Sequence, residues 1–179
     1  MSISTKESPE TQSGNSNEAI NNRFLCFSLG EAEYAVPLLT VKEVLALPEI
    51  TPVPQTLPHF LGIMNLRGQV ISVMDLRIKL SIKPTESPET AVIILDLKPN
   101  LVGVVVDAIN SVIHPTQEQI SDKPEIQSQK NTDYIQAVYS ENERMILLLD
   151  IQKTLNLGDQ LSIANAINFH QKAKKKEVL

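Results

Sequence analysis

Val70-Ile-Ser-Val-Met-Asp-Leu-Arg-Ile-Lys-Leu80 recurs at an offset of 75 positions as Met145-Ile-Leu-Leu-Leu-Asp-Ile-Gln-Lys-Thr-Leu155. Each copy reads as an apolar strand-forming run, then an aspartate placed to cap, then a short helical turn. Upstream, Gly62-Ile63 aligns with Ala137-Val138 at the same offset. Two strand-plus-turn units in one small chain predict two similar β subdomains.

Working outward, residues 61–66 and 70–74 flank Arg67-Gly68-Gln69 and read as a hairpin, with a helical turn through Leu80. Residues 134–139 and 145–149 repeat the hairpin across 140–143, and 150–157 repeat the turn, stopped by Gly158. Residues 91–97 and 101–106 are almost continuously apolar around Lys98-Pro-Asn100, which predicts a pair of strands buried on both faces. Phe24-Leu-Cys-Phe-Ser-Leu29 and Glu33-Tyr-Ala-Val-Pro37 predict a hairpin across Gly30-Glu31. Leu38, Val41, Val44 and Leu45 fall at helical spacing and predict a short helix over 38–47, ended before Pro48. Thr51-Pro-Val-Pro54 reads as extended, 81–90 as a connector and 114–132 as a loop. Residues 159–170 predict an amphipathic helix with Leu161, Ala164 and Ile167 on one side, followed by Lys172 and Lys174 to Lys176.

Of the 179 residues, 42% are hydrophobic and only 4% aromatic, enough for a packed core of Val, Ile and Leu. That excludes collagen-like, mucin-like and wholly disordered chains. A formal net charge of −5 argues against a nucleic-acid binder that neutralises phosphates. The single cysteine, Cys26, gives neither an intramolecular disulfide nor a Cys-pair zinc site, and it points to a reducing compartment, the cytoplasm. No apolar run approaches the ~18 residues that span a bilayer. Residues 1–22 hold only Met1, Ile3, Ala19 and Ile20 as apolar members, so they lack a signal-peptide core and read as a disordered tail. The organisation expected is a tail over 1–22, one domain of two β subdomains over 23–157, and a helix with a basic tail over 158–179.

Little in the chain suits catalysis. His59, His114 and His170 lie in unrelated segments without a second histidine at helical spacing, so no metal site is expected. His59 follows Pro58 and reads as a surface turn. There is no G-x-S-x-G elbow and no glycine-rich phosphate loop, and no cofactor is expected. Cys26, between Leu25 and Phe27, reads as an inert core thiol. Asp75, Asp107 and Asp150 each end an apolar strand and read as helix caps.

The segment that stands out is Gly62-Ile-Met-Asn-Leu-Arg-Gly68. Gly68 supplies the positive φ of a tight hairpin and holds Arg67 at its tip. Arg67 is either a solvated turn residue or a rigidly presented anchor for a partner's carboxylate.

From Phe60 to Arg77, Phe-Leu-Gly-Ile-Met-Asn-Leu-Arg-Gly-Gln-Val-Ile-Ser-Val-Met-Asp-Leu-Arg resembles the signature of the CheW family of chemotaxis coupling proteins. The resemblance runs from about Phe24 to Leu157. It takes in the opening Phe24 to Pro37 run, Val41-Lys-Glu-Val44, Ile50-Thr-Pro-Val-Pro54, Val102-Gly-Val-Val-Val-Asp107 and Arg144-Met-Ile-Leu-Leu-Leu-Asp-Ile151. Ser72 and Ala137 depart from the proline and glycine of many members.

The resemblance implies a mainly β fold: two SH3-like five-stranded β-barrel subdomains with short helices around a shared apolar core. It implies a non-enzymatic adaptor that binds the cytoplasmic tip of a methyl-accepting chemotaxis receptor and the regulatory domain of a CheA-type histidine kinase. Carried over residue by residue, Val41, Glu43, Gly62, Asn65 and Arg67 match the receptor-facing region, while core packing and a strand kink are the competing readings of Val41 and Gly62. A kinase-facing patch is expected on the first barrel, near Tyr34 and Leu38, where a core role is an equal alternative. The same features suit an adaptor of a twitching-motility or phototaxis kinase. A ligand-binding β-barrel would need a polar constellation inside the apolar strands.

Overall fold

The computed structural model describes residues 22–123 and 132–177. The expected tail lies almost wholly outside them. Eleven strands form two sheets among the described residues. Sheet II, in the middle of the chain, holds β3 (Val41–Ala46), β4 (Phe60–Leu66), β5 (Gln69–Asp75), β6 (Ala91–Asp96) and β7 (Leu101–Val106) in the order β3-β6-β7-β5-β4. Sheet I joins the two ends of the chain. It holds β1 (Phe24–Leu29), β2 (Ala32–Pro37), β8 (Ala108–Ile113), β9 (Ile120–Asp122), β10 (Ile135–Glu141) and β11 (Arg144–Leu149) in the order β8-β1-β2-β11-β10-β9. Three helices complete the fold: the single turns α1 (Leu76–Lys79) and α2 (Ile151–Thr154), and the long α3 (Leu157–Glu177).

The two sheets repeat one pattern. β5 pairs antiparallel with β4 and parallel with β7, as β11 pairs with β10 and β2. The hairpins share a bulge at corresponding places, between Phe60 and Gly62 and between Ile135 and Ala137. Asp75 N–H donates to His59 O at 2.7 Å, and Asp150 N–H to Tyr134 O at 2.8 Å. Both aspartates then accept the next turn's N–H groups, from Arg77 and Ile78 in one copy and Gln152 and Lys153 in the other. The repeat expected from the sequence is therefore present at the level of individual hydrogen bonds. Sheet I differs from the five-stranded expectation by one strand, β9, which lies within the segment expected to be loop.

Strand alternation sorts the apolar side chains into three clusters. Leu25, Phe27 and Leu29 of β1, Ile93 and Leu95 of β6 and Val102, Val104 and Val106 of β7 enter a core shared by both sheets. Cys26, Ala35, Tyr139, Ile146 and Leu148 fill sheet I's own interior, and Ile71, Val73, Val92, Ile94 and Val105 fill sheet II's. Strands buried on both faces are what the continuous apolar runs encode. Gly103 takes its turn on the inner face of β7, where an added Cβ would lie 2.9 Å from Val92 Cγ1.

Several expectations are corrected. Residues 38–47 form no helix; a 3₁₀ turn at Leu38–Thr40 leads into β3, which pairs with β6. The apparent helical spacing comes from a β-bulge between Val41 and Glu43, which breaks the period of two. Gly158 does not stop a helix: the chain breaks after Thr154 and restarts at Leu157, with Gly158 in the first turn of α3. The buried positions of α3 include Asp159, Ile163 and Ala166, whereas Leu161 is exposed. Asp107 caps no helix; it accepts from Gly30 N–H at 2.7 Å and from Arg77 at 2.8 Å.

Candidate functional site

The Arg67-Gly68 turn is a two-residue connection with φ of 51° and 85°, the conformation a tight hairpin demands. Asn65 Oδ1 accepts the Gly68 N–H at 2.8 Å and fixes it. The Arg67 guanidinium is then held toward β3, where it donates to both oxygens of Glu43, at 2.9 and 3.0 Å. β3 and β4 are opposite edges of sheet II, so this pair links the two edges.

The bulge in β3 decides what that strand offers. Val41 pairs with Leu95 and packs on the shared core; Glu43 pairs with Ile94, on the other face. Without the bulge, residues two apart would share a face. Val44 returns to the shared-core side opposite Ile93, yet is 40% exposed because no strand covers it. Leu39 and Leu47, on either side of β3, are also exposed. The outcome is an exposed apolar strand edge next to the shared core, with the Arg67–Glu43 pair on the strand's other face.

Gly62 is buried and has φ of 142°. The backbone it lets approach is the chain's own: a Cβ there would lie 2.1 Å from Thr51 O, and Thr51 and Ile63 exchange hydrogen bonds of 2.8 and 2.9 Å. Tyr34 is buried in the shared core, stacked on Phe27 with ring centroids 6.4 Å apart. Burial pushes its hydroxyl above the ordinary tyrosine range. Leu38 is half-buried against the same core. The structure thus gathers Asn65, Arg67 and Glu43, sets Val41 on the adjoining face, and puts Gly62 and Tyr34 inside.

Two charged clusters escaped the sequence reading. Arg77, buried, donates Nε and one terminal nitrogen to Asp75 (3.0 and 2.7 Å) and the other to Asp107 and Thr85 O (2.8 and 3.0 Å). Asp75 foremost, with Asp107, holds the guanidinium above its ordinary range despite burial. His59 is not a surface turn residue: its Nε2 contacts Asp159, which also accepts from Lys79. The signal for the second cluster was the Asn156-x-x-Asp159 spacing, a variant of the capping box. Among the described residues, no group of three His, Cys, Asp or Glu side chains is placed to hold a metal, and no helix is long and apolar enough to cross a membrane.

Two repeated β units packed on a shared core, with one edge strand left exposed, define a two-sheet, mainly β class of protein. The CheW-like domain profile matches residues 23–158, and the chain belongs to that family, whose members are scaffold and adaptor proteins rather than enzymes. It is 33% identical over 154 residues to the chemotaxis protein CheW of Klebsiella aerogenes, covering 86% of this chain and 93% of that one. It is 32% identical to chemotaxis protein CheW of Bacillus subtilis (75% and 86% covered) and 29% identical to protein FrzA of Myxococcus xanthus (79% and 89%). The crystal structure of the scaffolding protein TtCheW from Thermoanaerobacter tengcongensis superposes with a TM-score of 0.70 at 27% identity, over 78% of this chain and 95% of that one. The mainly β, two-sheet architecture is shared with that relative.

Proposed function

We propose that this chain couples methyl-accepting chemotaxis receptors to a CheA-type histidine kinase, in the cytoplasm beneath the inner membrane. The observation that carries the reading is the open β3 edge: Val41 and Val44 flank the shared core, next to the Arg67–Glu43 pair. A receptor helix laid along that edge would bury the two valines, and Asn65, Arg67 and Glu43 would set its register through polar contacts. Gly62 serves this surface from behind, by letting the Thr51 segment close on β4. On the kinase side the reading uses the end of β2, from Tyr34 to Leu38, where the adjacent Leu39 offers exposed apolar area.

Such an adaptor acts by geometry. It holds the kinase beside the receptor, so that a small receptor movement biases the kinase between states. Modest interfaces repeated across an array assemble strongly through effective concentration. The test is calorimetric titration with the regulatory domain of the organism's own CheA-type kinase, then with a receptor cytoplasmic-tip fragment added. Saturable 1:1 binding to the kinase domain and formation of the ternary complex support the reading; binding to neither removes it. The likeness to protein FrzA supports a second reading, an adaptor of a separate kinase pathway. Comparing affinities for each CheA-type kinase in the genome separates the two.

A further inference from the structure

Among the described residues, the C-terminal helix has no counterpart in the internal repeat. After α1 the first copy continues into the 81–90 connector, whereas after α2 the second copy continues into α3. Asn156 and Asp159 open α3 with reciprocal bonds. Asp159 N–H donates to Asn156 Oδ1 at 3.1 Å, and Asn156 N–H donates to Asp159 Oδ2 at 2.8 Å. A carboxylate at a helix start can be satisfied by N–H groups and water. Asp159 is instead fully buried, and two groups from sheet II's side of the molecule complete its shell. Lys79 Nζ lies 2.5 Å from Oδ2, and His59 Nε2 donates to Oδ1.

The origin of those partners matters. His59 immediately precedes β4, and its carbonyl accepts the Asp75 N–H at the end of β5. Lys79 closes α1, directly after β5. Both are fixed to sheet II. Asp159 arrives from the opposite unit, through β11 and α2 of sheet I. Asp159, Ile163 and Ala166 stand at i, i+4 and i+7, one helical stripe, and the latter two are buried in the shared core.

We infer that Asp159 is a positioning residue that straps the two β units together through His59 and Lys79, and so fixes the opening along which Val41 and Val44 lie. A buried carboxylate persists only with its partners in place. Swinging α3 away from sheet II would strip Asp159 of both at once and uncover the apolar stripe behind it. The element therefore has two arrangements, docked with every bond made or released into water, and little between them. The link from strap to partner rests on the receptor-facing reading of β3; the strap itself does not.

The test uses the full-length protein carrying Asp159→Asn and, separately, Lys79→Gln, which leaves the buried capping group intact if the first variant folds poorly. Hydrogen exchange read by peptide reports the strap. Faster exchange is expected in 157–170 and also in β1 and β7, on the two sides of the shared core. Titration with a receptor-tip fragment is expected to weaken by about 5- to 150-fold, the span of ordinary coupling between sites, although neither residue lies on β3. Exchange that quickens in α3 alone, with receptor affinity unchanged, overturns the inference, since Asp159 then holds only its own helix. Exchange that spreads while affinity stays constant upholds the strap and overturns its link to β3. If the unaltered protein does not bind the receptor fragment, the functional reading falls; exchange then decides the strap, upheld by quickening across both sheets and overturned by quickening in α3 alone.

Discussion

Arg67 grips Glu43 with two parallel hydrogen bonds and so ties the β4–β5 turn to β3, the strand at the far edge of the same sheet. Each residue is, in the isolated protein, the counter-ion the other would otherwise seek on a partner. Arg67 is 75% exposed, so the pair adds at most about 1 kcal/mol to stability. Arg67→Glu is expected to weaken receptor-fragment binding by about 2 kcal/mol or more while barely moving the urea midpoint. The double exchange Glu43→Arg with Arg67→Glu rebuilds the pair in reverse. Calorimetry on both proteins separates two roles: recovered binding means that the linked edges matter, and continued loss means that Arg67 itself touches the receptor.

Gly62→Ala tests the backbone approach at the bulge of β4. The new Cβ would meet Thr51 O and the Pro52 backbone, neither of which is a flexible side-chain end, at a φ that L residues rarely adopt. The expected cost is about 3 kcal/mol or more in equilibrium urea unfolding. A loss under about 1 kcal/mol would mean that the Thr51 segment lifts away cheaply.

Asp107→Ala probes the node between the units. Asp107 accepts from Arg77, which follows sheet II's β5, and from Gly30 in sheet I's first hairpin. Its removal leaves the buried Arg77 balanced by Asp75 but takes away one charge-assisted hydrogen bond and the acceptor of Gly30 N–H, for an expected loss of about 1.5–3 kcal/mol. Arg77→Met in the same background should deepen that loss, because the buried Asp75 then keeps its carboxylate without the guanidinium that balances it. Denaturation of the single and double variants, treated as a cycle, measures the coupling.

Acid should expose the Asp159 contact. Burial pushes the Asp159 carboxyl up, but Lys79, His59 and the Asn156 N–H outweigh it and hold the group below the ordinary carboxylate range. A carboxyl lowered in the folded state contributes stability that is fully present above its unfolded value, about 3.9, and is lost as pH falls through the lower folded value. Urea midpoints from pH 7 down to pH 3 should therefore fall more steeply for the unaltered protein than for Asp159→Asn. Parallel curves would show that Asp159 titrates alike folded and unfolded.

What the sequence disclosed and what it hid follow from the range of the forces involved. Asp75 and Asp150 announced themselves because a capping aspartate bonds two and three residues ahead, within any local window. The doubly buried β6 and β7 were legible because continuous apolar runs have few other solutions. β3 was misread because one bulge at Lys42 turned a strand's period into something near a helix's. The buried face of α3 was misread because the stripe begins with an aspartate, and Asp159 is apolar in setting only through His59 and Lys79 from distant segments. The Arg67–Glu43 pair was hidden likewise: both residues stood out singly, but no local pattern joins positions 24 apart on opposite edges of a sheet.

Sheet I pairs strands that lie far apart in the chain. Glu33 of β2 meets Arg144 of β11 at 2.7 Å across 111 positions, and the strands beside them run parallel. During synthesis the β1–β2 hairpin therefore leaves the ribosome well before β11 and waits for that partner while the strands of sheet II are made. Sheet II has all five of its strands within residues 41–106 and can assemble meanwhile. Long-range parallel pairing of this kind folds slowly and leaves apolar edges bare while it waits. A nascent chain of this protein is thus expected to be at its most aggregation-prone just before β11 appears, with Cys26 and Ala35 as yet uncovered.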